Sequence, residues 1–400
     1  MIEPSPIDPL RSRVVADYVA KLVARGTSGG SPPAVLPSGG ALVTAIHPAD
    51  EMYLYELSLG GRGPDAAAVS YFATGDAVCR TVEEAVRWRF GGPGRAPIRL
   101  LDFASGHGRT TRFLVRRLPA DDITIAEIEP TAVRFQEAAF GVRGVVSTTD
   151  PADLALGPEA EAGAGVEAAG TFDAVLACSF FSHLPAGRFE PWLAKLYGLL
   201  SPGGLLMFSV HGMHLLPEAE SDDRAGIVFR AASESRRLDV EEYGTTYVSP
   251  AFVAAAARAV AGHDAALLAF PRGLCGFQDL YVLLRAPLPA AGDLKLSRFP
   301  LGALEKSEIS GGRVLLEGWA EGDGDEPPPE IRLLFGNTAV EVLRGDGAAS
   351  RTRRTWRFDF PVEVPGPDEL VRVEAVSARG LVRILVIGTL RPYLPAATSP

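Results

Sequence analysis

The chain has 400 residues, 47% of them hydrophobic and 22% charged, and a formal net charge of −10. That length predicts two or three domains with ample apolar material for their cores. An acidic chain without a basic cluster excludes a nucleic-acid partner, because that affinity comes largely from Lys and Arg against phosphates.

Cys79, Cys178 and Cys275 are odd in number, far apart and without a C-x-x-C pair. They argue against a disulfide scaffold or a zinc site and fit a reducing compartment. The first residues lack the charged start and apolar core of a secretory signal, and no apolar run is long enough to span a bilayer. A cytoplasmic location without membrane insertion is the expectation.

Residues 1–65 hold one amphipathic helical pattern (14–23) and a Gly/Ser/Pro connector (26–40). Helical spacing returns over 65–90, with Val69, Phe72, Val78, Val82 and Val86. Ile98, Leu100 and Leu101 then read as a buried strand ending in Asp102. Gly106 and Gly108 follow, giving a tight turn that brings backbone close to a ligand. A helix after that turn would offer its free N–H groups to polar or anionic atoms. Asp102 stands where doubly wound sheets bind ligands, so a nucleotide-like molecule is expected there. Neither glycine frame gives G-x-G-x-x-G: Arg109 or Thr111 stands at the third position. A nicotinamide dinucleotide is therefore disfavoured.

A second strand, 123–127, ends in Glu127, about 20 residues past the turn, where an acid can accept hydrogen bonds from both ribose hydroxyls. The alternative is a solvated strand end. A third strand at 145–147 precedes Asp150, a turn residue before Pro151. Residues 155–170 form an Ala/Gly/Glu insertion with little to pack a core. The fourth strand starts at Phe172-Asp173 and its loop carries Ser179, Phe180, Phe181, Ser182 and His183. A helix over 190–200 leads through Pro202, Gly203 and Gly204 into a fifth strand. Ser249 and Pro250 cap and open a helix over 251–261. Strands at 265–270 and 277–284 close the sheet.

Past a Pro/Ala/Gly linker (287–293), six short alternating strands appear at 314–319, 331–335, 339–343, 356–364, 371–376 and 381–387. Regular spacing with turn signals predicts a small β-sandwich over 299–393. Arg351 to Arg354 reads as a solvated turn.

The strand with Asp102 and its glycine turn, Glu127, the Phe172-Asp173 strand and the Leu-x-Pro-Gly-Gly turn, in that order, resemble the class I S-adenosylmethionine-dependent methyltransferases. The resemblance covers 97–285, departs from the family at Ala104, where the first glycine is usual, and places the catalytic domain at 66–286. It implies a Rossmann-like α/β fold, a seven-stranded sheet with helices on both faces, followed here by the all-β sandwich. S-adenosylmethionine is the implied cofactor. Asp102, Ala104, Ser105, Gly106, Gly108, Glu127, Ile128, Ser179 and Phe180 would hold it. Asp150 matches the acid that contacts the adenine amino group, and Tyr71, in a helix that covers the cofactor in many members, would touch its methionine end. For Asp150 the alternative is a turn, and for Tyr71 a core residue.

Transfer to a hydroxyl needs its proton removed, a task suited to histidine near neutral pH. His183 and His211, on loops at the carboxyl ends of the fourth and fifth strands, are the candidates; an ordering role in the loop is the alternative for His183. His211 and His214 lack a third ligand, so no metal is expected. The fourth-strand loop lacks the Asn/Asp-Pro-Pro-aromatic motif common in related amide and adenine N-methyltransferases. The expected acceptor is an oxygen of a small molecule or glycan. Gln278 or Asp279 would reach it, or serve as a turn. Glu317-Gly318-Trp319-Ala320 is similar to modules appended to bacterial sugar-modifying enzymes. A homo-oligomer or a partner protein would contact the β domain. The rival reading is a non-catalytic S-adenosylmethionine-binding protein that recruits partners through that domain.

Overall fold

The computed structural model describes residues 5–28, 41–59, 62–91, 97–156, 171–216, 225–233, 235, 237–262, 266–287, 293–324, 326–344, 352–366 and 368–390. Most of the 26–40 connector, the 155–170 insertion, the 287–293 linker and Arg351 fall outside them.

Helices α1 (Arg13–Ser28), α2 (Glu51–Ser58) and α3 (Pro64–Phe90) precede the sheet. Then come β1 (Leu100–Phe103), α4 (Thr111–Leu114), β2 (Ile123–Glu127), α5 (Pro130–Phe140), β3 (Arg143–Val146), β4 (Phe172–Ala177), α6 (Ala186–Gly198) and β5 (Leu200–Gly212). Strands β6 (Ile227–Arg230) and β7 (Thr245–Val248), helix α7 (Pro250–Ala261), and strands β8 (Ala266–Leu274) and β9 (Gln278–Leu284) complete this part. The main order is β3-β2-β1-β4-β5-β9-β8. β1 to β5 pair in parallel, and β9 runs antiparallel between β5 and β8.

Successive residues of one strand feed opposite cores, as a two-sided buried sheet requires. Leu100, Ile125, Leu176 and Met207 join the core under α1 and α3, whereas Leu101, Ala126, Val175 and Phe208 join the one under α6 and α7. Ser249 caps α7 as expected, its hydroxyl accepting from Phe252 N–H.

The helix after the glycine turn is short: α4 has four residues. The strands β6 and β7 were not foreseen. They join the far end of β5 at His211↔Tyr247, while Thr246 N–H and hydroxyl bond the carbonyls of Ser182 and Leu184. This excursion is thereby pinned beside the fourth-strand loop.

The C-terminal part is a sandwich. One sheet holds β10 (Leu301–Ser310), β11 (Arg313–Glu321) and β14 (Arg353–Pro361); the other holds β12 (Glu330–Phe335), β13 (Thr338–Leu343), β15 (Val371–Val376) and β16 (Val382–Gly388). Val314, Leu316, Trp356 and Phe358 of the first face Ile331, Leu333 and Val373 of the second. β10, an edge strand with four exposed residues from Glu305 to Glu308, carried too little apolar alternation to be foreseen. Trp319 packs under the Arg353 guanidinium, 4.0 Å from its ring centroid.

Candidate active site

A cleft of about 740 Å³ opens at the carboxyl ends of β1, β2, β4 and β5. Its floor is the turn after β1. Ala104, Gly106 and Gly108 all take positive φ (55°, 58° and 80°). A Cβ on Gly106 would meet nothing within 4 Å, so bare backbone faces the cleft. Gly108 serves a different need. A Cβ there would lie 2.3 Å from the Phe140 ring and 2.9 Å from Gln136 Oε1, so its small size lets α5 pack against the turn. Gln136 braces that turn, its amide donating to Ser105 Oγ at 2.8 Å and to Gly106 O at 2.9 Å. Ala104 bears a left-handed backbone at a cost of about 1–2 kcal/mol for a side-chain-bearing residue. Its methyl packs against the core containing Phe103.

Two buried acids stand over the floor. Glu127 accepts from Gly106 N–H at 2.8 Å through one oxygen, and from Ile128 and Glu129 N–H through the other. Burial pushes its carboxyl up, and these three N–H groups oppose the shift. Asp102 accepts from Thr111 Oγ1 at 2.8 Å. Burial raises it to about 7, against the Thr111 bond and with a further push from Glu127. A cleft with two desolvated acids and an uncovered glycine suits a ligand with hydroxyls and a positive charge.

The wall opposite comes from the N-terminal segment. Arg112, fully buried, donates to the carbonyls of Val43, Ala45 and Gly108 and to the Tyr71 hydroxyl, each at 3.1 Å. Tyr71 in turn donates to Asp50 Oδ2 at 2.6 Å. Tyr71 therefore sits in a core network and is absent from the cleft lining, in keeping with the core-residue alternative rather than a contact at the methionine end. His107 stacks on His47 at 4.5 Å, and burial lowers it to about 4, so it is neutral near pH 7.

At the far end, His183 is sandwiched by chemistry that orients it. Its ring stacks on Tyr243 at 4.6 Å, and Nδ1 lies 2.6 Å from Gly244 O. A carbonyl only accepts, so Nδ1 carries a hydrogen, and in the neutral ring the lone pair is therefore on Nε2. His211 is held otherwise: Gln278 Nε2 lies 3.2 Å from its Nε2, and burial, helped by neighbouring His183, lowers it to about 4. Gln278 also accepts from the Ser209 and Ser179 hydroxyls at 2.7 and 3.1 Å, tying the fourth and fifth strand ends together.

Asp102, Ala104, Ser105, Gly106, Glu127, Ile128, Ser179, Phe180, His183 and His211 all line the cleft. Asp150 lies outside the lining; it caps a turn through Ala152 N–H and pairs with Arg188 Nη1 at 3.1 Å, and it is Arg188 that reaches the cleft. Asp50, Arg112 and Gln136 were missed. An isolated polar residue carries no periodic signal, and only the fold brings these to the turn.

Residues 101–206 match the model of a methyltransferase domain family. No curated protein matches. Among solved structures, the chain is similar to DhpI in complex with SAH, with 16% identity over 59% of this chain and 96% of that one and a TM-score of 0.38. It is also similar to 1,6-didemethyltoxoflavin-N1-methyltransferase from Burkholderia thailandensis (16%, covering 71% and 93%, TM-score 0.33). A third is magnesium protoporphyrin IX methyltransferase from Synechocystis PCC 6803, with bound SAM (13%, 58% and 90%, 0.35).

Proposed function

We propose that this class I S-adenosylmethionine-dependent methyltransferase methylates an oxygen of a small organic or sugar-containing acceptor, with His183 as the general base. The cofactor supplies an activated methyl carbon on a sulfonium, so the protein's work is to position the acceptor and manage one proton. Glu127 would bind the ribose hydroxyls with the lone pairs its three N–H partners leave, while Gly106 lets the ligand approach the backbone. Asp102 would lie under the same ligand.

The observation that carries the choice of base is the Nδ1–Gly244 O contact of 2.6 Å. It holds His183 in the tautomer with a basic Nε2 in a residue that lines the cleft. Nε2 would take the proton of the acceptor hydroxyl, whose oxygen would receive the methyl group that the bound cofactor supplies. His211 suits the role less, because the Gln278 amide lies against its Nε2. Tyr243, Tyr247 and Phe277 near these histidines favour an acceptor with an apolar or ring face.

The test is His183→Asn in a screen with isotopically labelled S-adenosylmethionine against pooled hydroxyl-bearing metabolites. Turnover should fall by roughly 10²–10⁴-fold, the usual worth of a general base, while cofactor affinity by calorimetry stays within about twofold. Unaltered turnover would remove His183 as the base. Cofactor binding without methyl transfer to any pool would instead favour the non-catalytic reading.

A further inference from the structure

A second cavity, about 240 Å³, lies between α1 and the outward face of the sandwich sheet built from β12, β13 and β15. Lys21, Arg332, Arg344 and Arg372 line it, with Glu374 as the acid. Arg332 and Arg344 both pair with Glu330, and Arg372 Nε pairs with Glu374 Oε1 at 2.7 Å. Among the described residues, these four cations face two carboxylates, in a chain whose net charge is −10.

Arg372 is the informative member. Its side chain is 3% exposed, yet among the described residues its Nη1 and Nε have no hydrogen-bond partner, and neither has Glu374 Oε1, whose 2.7 Å approach to Nε is an ion pair without hydrogen-bond alignment. Its other contacts fix the fork: Nη2 donates to Asn337 Oδ1 at 3.3 Å, and the guanidinium carbon sits 5.0 Å from the Tyr18 ring centroid. Asn337 also accepts Lys21 Nζ on its carbonyl at 3.0 Å and donates to Val14 O at 2.7 Å, which holds α1 over the sheet. A buried N–H that finds no acceptor costs about 1–3 kcal/mol. A cavity lined by further cations is where an acceptor would enter.

We propose that this seam is a binding site for a compact oxyanion, a phosphoryl or carboxylate group carried by a small molecule. Arg372 would donate through its planar fork, with Lys21, Arg332 and Arg344 supplying charge. The space exceeds that of one or two waters, each taking roughly 30 Å³. The site shares no lining residue with the methyl-transfer cleft.

Titration calorimetry and thermal melts of the full chain test this with inorganic phosphate, malonate and, at matched ionic strength, chloride. Phosphate or malonate should saturate one site per chain at ~1 mM or below, and chloride should not reproduce the melting shift. Which of the two binds more tightly separates a phosphoryl from a carboxylate ligand. Lys21→Met with Arg344→Gln, both at accessible positions that leave the buried pair intact, should weaken binding at least about tenfold. Arg372→Lys should do the same by losing the fork, and S-adenosylmethionine affinity should be unchanged throughout. Non-saturable binding of both probes, an equal shift with chloride, or full affinity in the Lys21→Met/Arg344→Gln variant would overturn the proposal.

Discussion

Asp102 shows how one side chain links burial to pH. Its folded carboxyl sits near 7 because desolvation favours the protonated form. The native protein therefore holds a proton that the unfolded chain releases from about pH 4 upward. The sign follows: this stability is present at low pH and lost as pH rises through about 7. In cofactor-free protein, urea unfolding should show wild type losing stability relative to Asp102→Asn across that window, by up to about 1.4 kcal/mol per pH unit. Parallel curves for the two proteins would disprove the buried acid. Sequence exposed Asp102 and Glu127 through their places at strand ends. It left Tyr71 ambiguous, because a tyrosine on a buried helix stripe looks the same whether it meets a ligand or an Asp50–Arg112 network.

Two glycines of the turn between β1 and α4 look equivalent in sequence and are not. Gly106 has open space where a Cβ would go, and Gly108 has the Phe140 ring. Gly106→Ala should cost the fold only about 1–2 kcal/mol of backbone strain, while weakening S-adenosylmethionine binding by at least about tenfold. Gly108→Ala adds an overpacking cost of typically 1–3 kcal/mol and should lower the unfolding midpoint further. Should Gly106→Ala bind the cofactor normally, the turn would not face it. Gly75 in α3 belongs to the same packing problem: its Cβ would come within 2.2 Å of Arg109 O, so the helix crosses the turn only because the residue is small.

At the scale of the whole molecule, the sandwich is not an independent bead. Leu294, Leu296, Leu370 and Ile387 belong to the same core cluster as α1 and α3. Ser297 N–H donates to Glu84, and Arg383 donates to Gly276 O in the turn before β9. Two parts that share a core lose it together, so calorimetric melting should give one transition with van't Hoff and calorimetric enthalpies in agreement. Two resolved transitions would show that the seam contributes little. Among the described residues, no helix is long and apolar enough to cross a membrane.

The parallel sheet, its glycine turn and the alternating sandwich strands were legible in the residues alone. Apolar runs and two-residue alternation are local consequences of burying one or both faces of a strand. The β6–β7 excursion was not legible, because strands of four residues are too short to display a period and β7 owes its pairing to the far end of β5. Nor was the division of labour among Gly106, Gly108, Tyr71 and Asp150. Those roles depend on which neighbour arrives from a distant segment, and only chain packing in three dimensions decides that.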